Sequence, residues 1–319
     1  MLSYQIKKRH TPYLGDIYQM SCLQDNELVS QASLAPDFGF NLFSWQWRGV
    51  PIFYCPEKEL SQTGFGGVPV LYPAPNRTKN GKFRFEDRDY QLVKNGVVRE
   101  IHGLVYDEPW QLDECCQEAC SVSGYIDFKP GTQLYQTFPF AHRLRVTYTL
   151  KENSLLMRFE VESQSDKNFP LGLGIHTYFC KSDPRITISV PADQRFLSDA
   201  DRFPQKVILV EGDYDLRSPV PVSRLALDDV YTGLGEKSCV IDYPSTGRRL
   251  SIYGSKVFQN AVVFTPKDAP FFCYENQTCM TNAFHGEETG LLAQSGLVIL
   301  KPGETCSGEV RFCLEERLS

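Results

Sequence analysis

A chain of 319 residues with 42% hydrophobic and 23% charged residues is long enough to bury a sizeable core and has a globular composition. The formal net charge of −6 at pH 7 argues against nucleic acid or an anionic membrane as a partner, since both attract clustered positive charge. No run of about 18 apolar residues is present, so the sequence predicts no membrane-spanning helix.

Eleven cysteines do not by themselves indicate a disulfide scaffold. Their number is odd, the chain is long, and the opening residues MLSYQIKKRH lack the apolar core of a secretion signal. We therefore expect reduced thiols in a cytoplasmic protein. The five histidines form no HxH or HxxxH pair, and no two Cys or His pairs stand at zinc-ligand spacing, so no metal site is predicted.

Alternation of apolar and polar residues predicts short β-strands along most of the chain. The segment KFRFEDRDYQL predicts a hairpin with strands at Lys82–Phe85 and Tyr90–Leu92. Helical periodicity is scarce, and Asp113–Cys120 is the stretch with room for a turn or two of helix. Farther along, RLRVTYTL and SLLMRFEVES flank the turn KEN, which predicts a hairpin with one buried and one solvent-exposed face.

The segment GLGIHTYF has two unlike faces when it is read as a strand, because alternate residues share a face. One face is mostly apolar and carries Leu173, Ile175, Thr177 and Phe179. The other face carries Gly172, Gly174, His176 and Tyr178. A glycine inside a strand often marks the close approach of a ligand or of another backbone. The pattern therefore indicates a hole on one face of the strand, with a histidine beside it.

The remaining alternating segments predict further short strands: ITISVP, KVILVE, LSIYG, AVVFTP, GLVILKPGE and GEVRFCLE. Twenty prolines and 23 glycines, spread evenly, suit many short strands and tight turns. No composition shift marks a linker, and no repeat recurs at a fixed period. We expect an all-β fold in which residues 1–319 form one domain, a large antiparallel β-sandwich.

Three segments depart from ordinary core patterning and contain residues able to carry chemistry. Arg77 lies in the proline-rich GGVPVLYPAPNRTKNGKF, His102 precedes a glycine in REIHGLVYDEPW, and Glu275 follows an apolar run in FFCYENQT. A carboxylate beside an apolar strand is costly unless it is hydrogen-bonded or functional. The local sequence by itself favours ordinary structural roles: a solvated Arg77, a partly exposed His102, and Glu275 at the solvent-exposed end of a strand. Whether these residues form a functional site is therefore left open.

Taken together, seven fragments resemble the aldose 1-epimerase (galactose mutarotase) family in their chain order: NLFSWQWRGVPIFY, GGVPVLYPAPNRTKNGKF, HGLVYDEPW, GIHTYF, LDDVYTG, CYENQT and LKPGE. The resemblance runs from about Asn41 to the C-terminus. It implies a galactose mutarotase-like supersandwich. It also implies an isomerase that interconverts the α and β anomers of a sugar without a metal or an organic cofactor.

The resemblance also implies roles for particular residues. His176 in HTYF matches the family's general acid, and Glu275 in CYEN matches its general base. Arg77 in NRTKNGKF and His102 in the HG pair match groups that hold the substrate. The family's binding aspartate corresponds to Asp228 in LDDVYTG, although Asp229 is an equally close match by register.

Departures from galactose mutarotases leave the substrate open. Ile175 stands where those enzymes have asparagine, and ENQTCMTNAF replaces their ETQ and PDA segments. Hexose-6-phosphate mutarotases share HTYF but need a cationic pocket, for which Arg77, Arg99 and Lys79 are candidates. A non-catalytic carbohydrate-binding β-sandwich is the other alternative, while a glycoside hydrolase is disfavoured because it normally uses two carboxylates.

Three aromatic residues are candidates for stacking on the apolar face of a sugar: Trp45, Trp110 and Tyr178. Core packing is the more common role for either tryptophan. The expected partner is therefore a small-molecule sugar, and the oligomeric state is left open.

Overall fold

Antiparallel β-strands make up about half of the computed structural model, which describes residues 1–235 and 237–317. In the first half of the chain the strands are β1 (Leu2–Thr11), β2 (Gly15–Gln24), β3 (Glu27–Ala35), β4 (Asn41–Trp47), β5 (Val50–Pro51), β6 (Val70–Leu71), β7 (Lys82–Phe85), β8 (Arg88–Gln91), β9 (Val93–Lys94), β10 (Val97–Val98), β11 (Gln111–Cys116), β12 (Ser121–Phe128), β13 (His142–Leu150) and β14 (Ser154–Ser163). In the second half they are β15 (Phe169–Leu171), β16 (Gly174–Ile175), β17 (Thr177–Cys180), β18 (Thr187–Ser189), β19 (Gln194–Ser198), β20 (Pro204–Leu209), β21 (Val220–Pro221), β22 (Asp228–Thr232), β23 (Cys239–Tyr243), β24 (Arg248–Gly254), β25 (Asn260–Phe264), β26 (Phe271–Gln277), β27 (Val298–Leu300) and β28 (Thr305–Glu316).

Helices are few and short. The α-helices are α1 (Glu57–Thr63), α2 (Gln133–Thr137) and α3 (Leu292–Ser295). Single turns of 3₁₀ helix occur at Lys79–Gly81, Gly212–Tyr214, Val222–Arg224, Pro244–Thr246 and Ala283–His285. In residues 1–235 and 237–317, no helix is both long enough and apolar enough to cross a membrane.

Two large sheets carry most of the strands. The first has nine strands in the order β11-β12-β13-β14-β28-β24-β23-β18-β21. The second has eight, with the path β20-β19-β22-β25-β26-β16-β6 and β17 paired to β26. A five-stranded sheet, β1 to β5 in order, adds the N-terminal part of the chain, which lies mostly before the fragments that resemble the epimerase family.

The two large sheets pack face to face through aromatic side chains. Phe179 of β17 and Phe272 of β26 are fully buried, and the ring of Phe179 lies 6.5 Å from that of Phe312 in β28. Phe53 contacts both Phe179 and Phe312, with ring centroids 5.9 and 5.6 Å away. Burying a phenylalanine contributes about 1.5–3 kcal/mol, so this layer is a principal source of stability. The prediction of an all-β sandwich is confirmed.

Strand periodicity placed most elements correctly. The predicted hairpin of β13 and β14 forms, and its register places Leu144 opposite Val161. In the hairpin of β7 and β8, the second strand begins at Arg88 rather than Tyr90, because the turn consists of two residues with positive φ, Glu86 and Asp87.

The expectation of helical turns at Asp113–Cys120 is wrong. Those residues begin in β11, the edge strand of the nine-stranded sheet. Almost all of β11 is exposed, so neither face needs apolar residues and the alternation that marks a strand is missing from the sequence. All eleven cysteines are free thiols.

Candidate active site

Strand register sets His176 beside Glu275. Thr177 of β17 pairs with Tyr274 of β26, so the preceding residue, His176, lies directly across from Glu275. Side chains opposite each other on antiparallel strands have Cβ atoms about 4.5–5.5 Å apart and point to the same face. Nε2 of His176 lies 3.2 Å from Oε1 of Glu275, and the two side chains are only 7% and 3% exposed.

The same register brings Asp228 to this face. Asp228 of β22 pairs with Phe264 of β25, and Val262 pairs with Glu275. Because residues two apart on a strand share a face, Asp228, Phe264 and Glu275 all point to the same side of the sheet. Asp229 points to the other side, where Arg195 Nη1 donates a hydrogen bond of 3.1 Å to its Oδ1.

The two predicted substrate-holding side chains on loops reach the same place. Nη2 of Arg77 lies 3.6 Å from Oδ2 of Asp228, and its Nη1 donates a hydrogen bond of 3.1 Å to Oδ1 of Asn76. His102 has φ of 64°, and its backbone N–H donates to the carbonyl of Asn76 at 2.8 Å. The ring of His102 lies edge-on to that of His176, with centroids 5.1 Å apart.

Burial dominates the acid–base properties of these groups. It raises the pKa of Glu275 well above its usual range, while a hydrogen bond of 3.0 Å from Gln277 Nε2 to Oε2 opposes the rise. Burial lowers the pKa of His176 well below its usual range, and the neighbouring His102 adds to the effect. Burial, followed by the charge of Arg77, lowers the pKa of His102 to about 3.

The five predicted residues Arg77, His102, His176, Asp228 and Glu275 line one pocket of about 120 Å³. Asn76, Ile101 and Phe264 complete the lining. These three were missed by sequence reasoning, as was Gln277. Period-two spacing from Glu275 was a signal for Gln277, whereas Phe264 needed the strand register.

The hole beside His176 is filled by protein. A Cβ placed on Gly174 would lie 2.9 Å from Cβ of Pro75 and 3.0 Å from Cγ of Gln277, and one on Gly172 would lie 2.9 Å from Cδ of Pro75. The expectation of a hole on this face of the strand is therefore wrong. The glycines allow the loop that carries Arg77 to pack onto the strand, which brings that arginine to the pocket.

The aromatic residues considered for sugar stacking, and the cation Arg99, lie in different environments. Trp45 and Trp110 are buried in the core, while Tyr178 stacks on His176 with centroids 4.6 Å apart and an angle of 11°. Arg99 points elsewhere, to Asp107 at 2.7 Å. Within the described ranges, no cluster of three or more His, Cys, Asp or Glu is placed to hold a metal ion.

Sequence comparison finds distant relatives of the chain among curated proteins. The chain is 25% identical over 236 residues to YihR of Escherichia coli K12, an alignment covering 71% of this chain and 74% of that protein. It is 24% identical over 212 residues to human galactose mutarotase, covering 60% of each. These are distant relatives over a large part of the fold.

Solved structures show the same fold. A galactose mutarotase-like protein from Clostridium acetobutylicum superposes with a TM-score of 0.83 at 21% identity, covering 98% of this chain and 99% of that one. Galactose 1-epimerase from Lactobacillus acidophilus gives a TM-score of 0.76 at 17% identity over 100% of both chains. The aldose 1-epimerase family model matches residues 28–313. The chain therefore belongs to the aldose 1-epimerase family, a family of isomerases of the mutarotase type.

Proposed function

We propose that this enzyme interconverts the α and β anomers of an unphosphorylated aldose, with Glu275 as general base and His176 as general acid. The observation that carries the proposal is the buried contact of 3.2 Å between these two side chains at a pocket lined by hydroxyl-binding groups. Binding alone does not require an acid–base pair, which favours catalysis over a carbohydrate-binding module.

Mutarotation opens a cyclic hemiacetal and closes it on the other face. Glu275 takes the proton of the anomeric hydroxyl while His176 gives a proton to the ring oxygen. The C1–C2 bond of the open aldehyde then rotates. On closure the roles reverse: Glu275 returns a proton to the new hydroxyl, and His176 takes one from the ring oxygen. Every proton is returned, so the cycle consumes no co-reactant and needs no cofactor.

Ring opening requires one protonation state of the pair, with Glu275 ionised and His176 protonated. Burial raises the pKa of Glu275 and lowers that of His176, so burial by itself favours the neutral forms. The neutral pair and the ion pair hold the same number of protons and differ only in which atom of the contact carries one. A single proton transfer from Glu275 to His176 across their contact converts the neutral pair into the ion pair, which is the form that starts ring opening.

Three further groups would hold the sugar. Arg77 offers N–H donors and Asp228 offers acceptor oxygens, which together fit adjacent hydroxyls. Nδ1 of His102 is buried and has no hydrogen-bond partner in the part of the chain that the structure describes, so it is available to a hydroxyl. The positive charge of Arg77 is already paired with the carboxylate of Asp228, and Glu275 lies in the same pocket. Because the pocket offers no unpaired positive charge from Arg77 to a phosphate, it favours a neutral sugar over a sugar phosphate.

The test is NMR exchange spectroscopy of anomer interconversion with a panel of free and 6-phosphorylated aldoses. Glu275→Gln and His176→Asn should each slow interconversion by at least about a hundredfold, the usual range for loss of a general acid or base. Glu162→Gln and His10→Asn change the same residue types on exposed surfaces and should have wild-type rates.

Circular dichroism should show that both site variants are folded. A wild-type rate in either one contradicts the assigned roles. No acceleration for any sugar, together with measurable sugar binding, would establish a binding module instead.

A further inference from the structure

A second, larger cavity adjoins the catalytic pocket. It has a volume of about 470 Å³, nearly four times the 120 Å³ of the first, and Arg77 and Ile101 line both. We call it the outer pocket. Its remaining walls include Lys79, Asn80 and Phe203. Because the two cavities share two side chains, they are neighbours, and a ligand that extends past Arg77 and Ile101 from the catalytic pair enters the outer pocket.

One wall of the outer pocket is a preformed turn between β19 and β20. Oδ1 of Asp199 accepts hydrogen bonds from the backbone N–H groups of Asp201 and Phe203, at 3.0 and 2.9 Å. These bonds fix the turn that presents Phe203, which is half-buried. A ligand reaching this wall therefore meets an ordered surface, and less entropy is lost on binding.

Asp228 joins the outer pocket to the catalytic pocket. Its Oδ2 lies 3.6 Å from Arg77 on one side and 3.8 Å from Nε of Arg202 on the other. Nη1 of Arg202 also donates to the backbone carbonyl of Asp228 at 3.2 Å. The turn that forms the outer wall is thus tied to the aspartate that lines the catalytic pocket.

The chemistry of the outer pocket favours a neutral, hydroxyl-rich ligand. Arg77 and Lys79 contribute two positive charges, while Glu100 and Asp201 contribute two negative charges. A phosphate would face both carboxylates, whereas sugar hydroxyls can donate to carboxylates and accept from cations. The aromatic ring of Phe203 gives an apolar surface of the kind that a pyranose face can cover.

We infer that the preferred substrate is a reducing disaccharide or the reducing end of a longer oligosaccharide, an inference that rests on the proposed function. The reducing ring lies against His176 and Glu275. The second sugar, attached to a carbon remote from the anomeric centre, occupies the outer pocket against Phe203. The reaction is unchanged, since only the reducing ring opens.

The experiment compares kcat/KM for glucose, galactose and glucose 6-phosphate with that for 4-linked and 6-linked reducing disaccharides, including maltose, lactose and melibiose. The wild-type enzyme should prefer at least one disaccharide over its parent monosaccharide about tenfold. Phe203→Ala should reduce that preference by about tenfold, because it removes the apolar ring surface that the second sugar covers. Tyr253→Ala, an exposed aromatic residue away from both pockets, should leave the preference unchanged.

Binding provides a readout that does not depend on turnover. Methyl glycosides cannot open, so calorimetry should show that the methyl glycoside of the preferred disaccharide binds more tightly than that of its parent monosaccharide, and that Phe203→Ala removes the difference. Turnover of monosaccharides without any disaccharide preference, or better turnover of glucose 6-phosphate, overturns the inference. Equal binding of the two methyl glycosides overturns the inference, whether or not any sugar is turned over. The absence of turnover for every sugar would contradict the proposed function, so the two failures can be distinguished.

Discussion

At the scale of single residues, both oxygens of Glu275 are held by defined partners. His176 contacts Oε1, and Gln277 donates its Nε2 hydrogen to Oε2. Gln277 is fully buried and stands two positions along β26, so it shares a face with the carboxylate it supports. A donor in a dry site stabilises the ionised form of Glu275, the form that the proposed ring opening requires. Gln277 is therefore a positioning residue for the general base.

Replacing Gln277 by methionine should shift the acid limb of the kcat/KM profile to higher pH by about one to two units. A hydrogen bond to a charged group contributes about 1.5–3 kcal/mol, and one pKa unit corresponds to about 1.4 kcal/mol. Rates are measured from pH 4 to 9. Asn276→Ala changes a buried amide on the opposite face of the same strand and should leave the limb in place. If the limb does not move in Gln277→Met, the hydrogen bond does not support the base.

At the scale of elements, the strand around Gly174 and the loop around Pro75 form one unit. The loop packs where glycine side chains are missing, and it continues into Asn76 and Arg77, which line the pocket. Strand periodicity predicted the two faces correctly, because alternation is a local property. It did not predict what fills the hole, because Pro75 lies far away in sequence and its approach depends on tertiary packing.

Gly174→Ala should destabilise the fold by about 1–3 kcal/mol and raise KM. Overpacking of a filled interior has this cost, and the new methyl group would displace Pro75 and hence Arg77. Urea denaturation measures the change in the free energy of unfolding, and initial rates measure KM. Gly308→Ala is the matched control, because its Cβ would lie 2.4 Å from Val257 Cγ1 and 2.7 Å from Phe159 Cε1 without touching the pocket. Gly308→Ala should lose a comparable free energy of unfolding while its KM stays unchanged. A raised KM in Gly308→Ala would show that the raised KM of Gly174→Ala comes from lost stability alone.

At the scale of the whole molecule, buried histidines link stability to pH. His142 lies between the rings of Phe128 and Phe169, with centroids 4.3 and 4.9 Å away. Its Nδ1 donates to the carbonyl of Phe140 at 2.7 Å, and its Nε2 accepts from Tyr72 Oη at 2.7 Å, so a neutral ring satisfies both contacts. Burial lowers the pKa of His142 to about 3, as it does for His102 in the pocket.

The free energy of unfolding should therefore fall as the pH is lowered from 7 to 5. The unfolded chain binds protons at these histidines below its ordinary pKa of about 6.5, whereas the folded protein binds them only near pH 3. Each such histidine contributes a loss of about 2 kcal/mol over this interval. Urea denaturation of His142→Gln should show a shallower pH dependence by that amount. A wild-type pH dependence in His142→Gln would contradict the argument.

How much the sequence predicts depends on whether the determinant is local. The hairpin of β13 and β14 is encoded in its own alternation, and its strands agree with the prediction. The choice between Asp228 and Asp229 could not be made locally, since either residue can face the pocket until the strand is paired. Pairing with β25 decides it, because Asp228 then lies opposite Phe264. The exposed edge strand β11 carries no apolar face at all, which is why its sequence does not predict it.

The pairing of β17 with β26 also has a consequence for the order of assembly. β1 to β5 are joined by consecutive hairpins, so this sheet can form while the rest of the chain is still being synthesised. The pocket cannot, because His176 has no partner until Glu275 has been made and its strand has joined the sheet. Contacts between such distant segments form slowly. During refolding, recovery of catalysis should therefore lag behind hydrogen-exchange protection of the backbone amides paired within β1 to β5, so that activity reports the last long-range pairing.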